Sequence, residues 1–349
     1  MKKFFLISIT TLLVSTSTAQ VQPGGKVSGL FFADYFYKAS GDTTVAGTAG
    51  QYSAPMSNDM NGFQLRRMYL TYDHVFSERF VGQITLEAHD KSLDVGGRYA
   101  PFVKTMFVEW KNALPMTDIA MGLVPTPTWV WGISERTWGY RMVEKTIADF
   151  RSLGLATDYG VSVRGRLDDK GLYSYVATVG NGAGQKPETD RNKKFYGEFL
   201  AKFAPEWMAE VYGDYERLNS NQQTATGKAM VAYAVQGFNA GIEAVYQAQL
   251  NSATNITKAP FGVSGYASYL VPWAEGQKIF ARGDWFDPDL NASNVGYSEM
   301  FATLGIDFIL QENVHLIPNV WLNQFFVKGT SMKKDPDLAL RMTVAAFFR

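Results

Sequence analysis

The feature that most constrains this chain is a series of short amphipathic segments whose connections alternate between short and long. Residues 80–90, FVGQITLEAHD, show the pattern clearly: every second residue from Phe80 to Ala88 is apolar or glycine, and those between, from Val81 to His89, are mostly polar. A two-residue period of this kind indicates a β-strand with one apolar face and one polar, water-facing face. We count about sixteen such segments along the chain.

The sorting of the connections by length indicates a membrane β-barrel rather than a soluble sandwich. If both chain ends lie at one end of a barrel, every short connection falls at that end and every long one at the other, as in single-chain outer-membrane barrels. Closure gives every backbone group a partner within hydrocarbon, and a barrel of this size encloses water. We therefore predict an all-β fold, a transmembrane antiparallel up-and-down β-barrel of about 16 strands.

The N-terminus predicts export. Lys2 and Lys3 precede an apolar run over residues 4–14, and small residues follow up to Ala19. This order is typical of a secretory signal peptide over residues 1–19, cleaved before Gln20, with the barrel domain over residues 20–349. The run is shorter than the roughly 20 residues of a spanning helix, so an uncleaved anchor is the weaker alternative. The predicted location is the bacterial outer membrane.

Composition narrows the function classes. The chain has no cysteine, so neither disulfides nor thiol chemistry are available to it. Its 33 basic and 33 acidic side chains give a formal net charge of zero, which argues against a nucleic-acid binder. The aromatic content of 14% and the 32 glycines favour many short strands with aromatic girdles at the membrane interfaces.

The last strand, over residues 337–349, shows the alternation over its full length. Alternate residues from Leu338 to Phe348 form an apolar face, and Arg341 belongs to the opposite face. Outer-membrane barrels usually end on an aromatic residue, whereas here Arg349 follows Phe348. The pattern predicts a lipid-facing strand with Arg341 turned inward.

Residues 125–153 interrupt the series without a strand pattern of their own. Connections of this length in a compact fold are either functional or disordered. This one is too aromatic for disorder, because Trp129, Trp131, Trp138 and Phe150 all favour burial. We predict a third extracellular loop that folds into the barrel and constricts its channel.

Three further stretches carry distinctive motifs: residues 63–88 with Arg66-Arg67, residues 138–167 with Tyr140-Arg141, Glu144-Lys145 and Asp158-Tyr159-Gly160-Val161, and residues 280–289 with Ala281-Arg282-Gly283-Asp284. In these stretches the chain resembles the phosphate-selective porin O and P-like family of Gram-negative outer membranes. The resemblance implies a sixteen-stranded channel, commonly a homotrimer, with the third loop folded inward. It also implies a lumen lined by arginines and lysines that passes phosphate.

Alternation predicts which basic side chains face the lumen. In residues 158–167 the apolar face turns Arg164 and Arg166 inward, and the same reasoning turns Arg67 inward. Arg282 lies on a strand whose two faces are both mixed. The residues that we predict to line the pore or contact anions are Arg67, Arg136, Arg141, Lys145, Arg151, Arg164, Arg166 and Arg282.

The charges of the predicted constriction leave an excess of three positive charges. The central segment carries four basic and three acidic side chains, and Arg164 and Arg166 add two more positive charges. Inward carboxylates elsewhere oppose the bias: Glu87, Glu198, Glu210, Asp214, Glu216 and Glu243. The alternative interpretation is that these charges solvate the lumen and pair with one another.

The sequence favours a porin for passive diffusion of small hydrophilic solutes, with an anion or phosphate bias as the finer hypothesis. Its expected partners are outer-membrane lipid, such solutes or anions, and two further copies of the chain; neither catalysis nor a cofactor is expected. Trp129, Trp131 and Trp138 suggest a saccharide-conducting porin as an alternative, or they pack the loop against the barrel. A plugged barrel with a structural or surface-binding role and a secreted soluble β-protein also remain open.

Other motifs give weaker signals. His74, His89 and His315 are far apart in the sequence, so we expect no metal site among them. Asp287-Pro288-Asp289 is typical of a turn, with surface calcium binding as the alternative.

Overall fold

The computed structural model describes residues 24–41, 57–330 and 335–348. The predicted signal peptide, residues 1–19, lies outside this range. Within it, none of the helices has the length and apolar character needed to cross a membrane.

Nearly all regular structure is β. The strands are β1 (Gly24–Ser40), β2 (Asn61–Val75), β3 (Phe80–His89), β4 (Phe102–Leu114), β5 (Thr117–Pro125), β6 (Thr157–Arg166), β7 (Tyr173–Gly180), β8 (Lys194–Ala201), β9 (Trp207–Arg217), β10 (Gln222–Val235), β11 (Phe238–Asn251), β12 (Ile256–Lys258), β13 (Phe261–Leu270), β14 (Gln277–Asp287), β15 (Tyr297–Gln311), β16 (Val314–Val327) and β17 (Asp337–Phe348). The helices are α1 (Ser134–Trp138) and α2 (Ile147–Phe150).

These segments form one closed antiparallel sheet of sixteen barrel strands. Both β12 and β13 pair with β11, so they are two halves of one strand that is interrupted at Ala259-Pro260. Every other strand pairs with its sequence neighbours, and β1 pairs with β17 from Gly29 opposite Phe348 to Ser40 opposite Leu338. The predicted fold class is confirmed.

The connections sort by length with two exceptions. At the end where β1 begins and β17 ends, which we call the turn side, each connection has two to six residues. At the opposite, loop side, most are longer, and the longest covers residues 126–156. The connections 218–221 and 252–255 are short, because β10 already begins at Gln222 and β12 resumes the pairing at Ile256.

The barrel is apolar outside and polar inside. In β17, Leu340, Met342 and Val344 are exposed on the outer surface, whereas the alternating Arg341 is 4% exposed. Outward aromatic rings near the turn side form a chain of contacts that runs through Phe203, Trp207, Tyr233, Phe238 and Tyr269. This arrangement fits an aromatic girdle at a membrane interface.

A β-bulge in β2 changes the direction of one arginine. Phe32 of β1 pairs with Arg67 and Ala33 pairs with Leu65, so Arg66 has no residue opposite it. A bulge inserts one extra residue and breaks the strict alternation of faces. Arg66 and Arg67 therefore both point into the barrel, where they contact Asp34 and Glu87 respectively.

Candidate functional site

Residues 126–156, which we call the inner segment, lie inside the barrel and contain both helices. Its apolar side chains pack against inward-facing residues of several strands. Trp138 contacts Tyr266 and Phe280, with ring centroids 5.4 and 6.0 Å apart. Two further apolar clusters join the segment to the wall: Trp129, Ile147, Ala148 and Leu153 pack with Val245 and Phe286, and Phe150 packs with Phe301, Trp321 and Ala339.

Polar contacts hold the inner segment to the same part of the wall. Arg66 Nη1 and Arg341 Nη2 donate to the carbonyl oxygen of Val143 at 2.8 and 3.1 Å. Trp321 Nε1 donates to Glu144 Oε2 at 3.0 Å. Because each donor comes from a different strand, these bonds fix the segment along β16, β17 and β2.

Similar contacts continue along β9 to β15. Thr128 Oγ1 and Tyr212 OH are 2.9 Å apart, and Tyr140 OH donates to Asp307 Oδ2 at 3.3 Å. Asn239 of β11 donates to the carbonyl oxygen of Thr137. The arc from β9 through β17 to β2 therefore carries the inner segment. The arc β3–β8 remains. The segment reaches it through Trp131, which contacts Phe107 of β4 and Arg164 of β6, and through the apolar cluster that Ile133 shares with Leu200 of β8.

A first group of basic residues surrounds a small enclosed cavity of about 70 Å³ beside the bulge. We call it the bulge cluster; its lining residues are Phe32, Arg66, Arg67, His89, Asp90, Lys91, Arg141 and Lys145. Each of its arginines has a carboxylate partner: Arg66 lies 3.3 Å from Asp34, Arg67 3.1 Å from Glu87, and Arg141 2.6 Å from Asp149, which also lies 3.6 Å from Lys145.

The inner segment perturbs its own titratable groups. Surrounding protein raises the pKa of the Glu135 carboxyl more than nearby Arg141 lowers it. Burial alone would also raise the pKa of Asp149, but Arg141, Lys145 and Arg67 outweigh it and hold that pKa below its usual range. Burial lowers the pKa of Lys145.

A second group of basic residues lies at the turn side of the inner segment. It lines an open pocket of about 430 Å³, which we call the turn-side pocket. Charged and apolar side chains of its lining include Lys111, Asp118, Trp131, Arg136, Arg164, Arg166, Val176, Glu198 and Leu200. Among its charged side chains are four basic and two acidic groups, so the lining carries a positive excess.

Two arginines of the turn-side pocket differ from the other predicted site residues. Arg136 and Arg166 are both exposed, and neither has a carboxylate within 4 Å in the described part of the chain; Glu198 of the same pocket acts on Arg136 only at longer range. Arg164 is partly exposed and pairs with Glu109, which also binds Lys111 at 2.6 Å. Unpaired cations in a water-accessible interior are the groups best able to attract anions.

The other predicted pore residues are enclosed. Arg151 pairs with Glu299 at 2.8 Å, and its side chain is 7% exposed. Arg282 pairs with Asp284 at 2.6 Å and donates to the carbonyl oxygen of Lys145. Both guanidinium groups hold the inner segment to the wall instead of facing open water. Arg67, Arg141 and Lys145 belong to the bulge cluster and are paired.

The three tryptophans do not form an aromatic row. Trp129 and Trp138 are 2% and 1% exposed and pack the inner segment against the barrel, as the packing alternative predicted. Trp131 is half-buried, with Arg164 4.2 Å from its ring centre. Buried indoles offer no face to a sugar ring, so this arrangement does not favour the saccharide alternative.

Sequence reasoning missed several basic residues of the interior. Arg66 faces inward because of the bulge. Lys104 pairs with Glu87 at 2.9 Å and sits at a second irregularity, since Thr85 pairs with Thr105 and Leu86 with Val103. Neither bulge carries a glycine or proline that would have marked it. Lys228, buried beneath the inner segment, pairs with Glu210 at 2.6 Å and lies on a regular inward face.

The weaker motifs have structural roles. No group of three or more candidate metal ligands occurs among residues 24–41, 57–330 and 335–348. Asp287 binds Lys328 and accepts from the backbone nitrogen of Asp289 at 2.8 Å. These bonds are those of a turn.

Neither a protein-family model nor a curated protein sequence matches the chain. Solved structures of outer-membrane channels do resemble it. The channel DcaP of Acinetobacter baumannii has a TM-score of 0.64 and 11% identity, with 93% of this chain and 97% of that chain covered. The anion-selective porin of Comamonas acidovorans has a TM-score of 0.61 and 10% identity, with 94% of this chain and 100% of that chain covered. The trimer form of OmpT of Vibrio cholerae has a TM-score of 0.57 and 10% identity, with 93% of this chain and 99% of that chain covered. At this identity the likeness establishes the fold.

Proposed function

We propose that this chain forms an outer-membrane porin through which small hydrophilic solutes diffuse passively, with a preference for anions. The observation that carries the proposal is the pair of exposed, unpaired arginines, Arg136 and Arg166, inside a closed barrel that is apolar outside. The sixteen-stranded fold that it shares with solved porins supports the channel function.

The proposed preference comes from a small number of charges. Most basic groups of the interior have carboxylate partners, so their fields cancel at short range. An unpaired arginine about 6 Å from a passing anion contributes roughly 0.7 kcal/mol in water, and more where the local dielectric is lower. Two such groups at one constriction therefore bias ionic traffic, whereas charges in wide vestibules are screened within about 8 Å.

We propose anions as the class of preferred solute, of which phosphate is one member. The arginines of the bulge cluster, which include the arginine pair of the family resemblance, are paired with Asp34, Glu87 and Asp149. The assembly is proposed to be a homotrimer, because the Vibrio cholerae OmpT that has this fold is described in a trimer form. The turn side is proposed to face the periplasm and the loop side the cell exterior, which makes residues 126–156 the third extracellular loop.

The test is the reversal potential of the purified protein in planar bilayers under a potassium chloride gradient. We expect anion preference in the wild type, and a loss of about threefold in the anion-to-cation permeability ratio for each charge removed in Arg136→Ala and Arg166→Ala. Arg79→Ala is the matched control, because Arg79 is exposed in the turn between β2 and β3 at the same end of the barrel.

Two results would contradict the proposal. A cation-selective wild type would refute the anion preference. An absence of steady ohmic current from correctly folded barrels would instead favour the plugged barrel, an alternative to which the many contacts of the inner segment give specific support.

A further inference from the structure

The turn-side pocket combines a basic surface with an apolar one. Its basic side chains come from β4, the inner segment and β6, and its apolar surface comes from Trp131, Val176 and Leu200. Val176 and Leu200 lie on the inward faces of β7 and β8, since Val176 pairs with inward-facing Arg164 and Leu200 with inward-facing Glu210. A fully hydrophilic ion would gain no favourable contact with such an apolar surface.

Trp131 is the aromatic group of this pocket. Unlike Trp129 and Trp138, it is only half-buried, so part of its indole remains accessible from the interior. Phe107 meets its ring at 82° with centroids 6.2 Å apart, and Arg164 lies over the ring. An accessible indole braced in this way is a preformed contact surface for another planar ring.

The arginines supply the complementary polar contacts. Arg164 is held by Trp131 and Glu109, and its buried Nε has no hydrogen-bond partner among the described residues. Arg136 and Arg166 are exposed and unpaired in the same pocket. A guanidinium group can donate two parallel hydrogen bonds to one carboxylate, which gives a carboxylate an advantage over a spherical anion.

We propose that the turn-side pocket is a binding subsite for small aromatic carboxylates, with the ring against Trp131, Val176 and Leu200 and the carboxylate at Arg136 or Arg166. The inference rests on the proposed channel function, whose preferred solute class it specifies. The pocket volume of about 430 Å³ lies within the range of small-molecule sites.

The test uses block of the chloride current through the full-length mature protein in planar bilayers. Benzoate, acetate and benzylammonium are added in turn to the turn side, since they separate the contributions of ring and charge. We expect benzoate to block at a lower concentration than acetate, and benzylammonium to leave the current unchanged. Trp131→Leu should raise the half-blocking concentration of benzoate about tenfold, and Arg136→Gln should weaken the block by benzoate and acetate alike.

Trp110→Leu is the matched control, because Trp110 lies on the outer surface and stacks on Phe80. Its block by benzoate should equal that of the wild type. Heat-modifiable gel mobility and a steady ohmic current without blocker show that each variant is folded and open. Equal block by benzoate and acetate, or an undiminished benzoate block in folded Trp131→Leu, would overturn the subsite. Since the reversal potential is measured separately, anion preference without benzoate block would leave the porin function standing.

Discussion

At the scale of single residues, ion pairing decides which charges can act on a solute. Arg151 and Arg166 are the same kind of side chain, yet Arg151 is enclosed against Glu299 whereas Arg166 is exposed and unpaired. The partner of Arg151 comes from β15, far along the chain. A basic residue on an inward face is therefore only a candidate until its neighbours across the barrel are known.

The pH dependence of selectivity should depend on Glu135. Because the pKa of its carboxyl is raised above the ordinary 4.5, it becomes protonated at a higher pH than an ordinary glutamate, whereas Asp149 remains ionised. Protonation removes a negative charge beside the channel, so anion preference should increase as pH falls towards 4.5 from above. Reversal potentials measured against pH test this expectation. In Glu135→Gln the preference should already be high and this step absent, and a step of unchanged size would contradict the assignment.

Much of the inward and outward assignment could be predicted from alternation, including Arg164 and Arg341. The prediction failed to include Arg66, because strict alternation places consecutive arginines on opposite faces and the bulge places both inside. It also could not separate unpaired Arg136 from paired Arg141, because pairing depends on distances within the folded inner segment.

At the scale of elements, the regularity of the wall depends on close backbone approach at a few glycines. Gly122 in β5 has a φ of 132°, and a Cβ atom there would lie 2.3 Å from the carbonyl oxygen of Met106 in β4. Neither the conformation nor the space suits another residue. This position therefore controls the pairing of the strand that leads into the inner segment.

Gly122→Ala should destabilise the barrel by about 1–3 kcal/mol, because the backbone is held in a region that alanine rarely adopts and the neighbouring strand must move. Urea titration of the protein in lipid vesicles, followed by tryptophan fluorescence, measures the change. Gly227→Ala in β10 is the control, since no atom lies within 4 Å of its added Cβ. Equal effects of the two substitutions would show that the close approach is unimportant.

The two helices could not be predicted from the sequence. α1 and α2 have five and four residues, too few to show a helical period or to be stable in isolation. They persist because Trp138 and Phe150 are buried against the barrel wall. The aromatic content of residues 125–153 did predict burial, which is the part of their structure that composition determines.

At the scale of the whole molecule, the distribution of polarity is reversed from that of a soluble protein. Leu304, in the middle of β15, is 57% exposed on the outer surface, while charged side chains such as Asp307 are enclosed. This arrangement is stable only where hydrocarbon surrounds the barrel and water fills the space that the inner segment leaves.

Leu304→Lys should destabilise the barrel in lipid vesicles by about 2–4 kcal/mol, the cost of a lysine near the bilayer midplane. Gln83→Lys is the control, because Gln83 faces the interior and already donates to Asp73 Oδ1 at 2.9 Å. Unfolding titrations of both variants in the same vesicles test the assignment. A larger loss for Gln83→Lys would reverse the proposed inside and outside.

The barrel as a whole was predictable, since alternation, connection lengths and chain length all pointed to about sixteen strands. The connections 218–221 and 252–255 break the expected alternation of short and long, because strand ends in polar Gln- and Thr-rich sequence carry no alternation signal. Strand pairing continues through such polar residues for as long as the neighbouring strand offers backbone partners. The end of a strand therefore depends on the sheet rather than on the local sequence.

The seam between β1 and β17 also constrains assembly. Gly29 pairs with Phe348, so the barrel closes only when strands from opposite ends of the described chain meet. Until β1 and β17 pair, each presents a row of backbone amide groups without partners, which cannot enter hydrocarbon. Insertion into lipid and closure of the seam must therefore occur together.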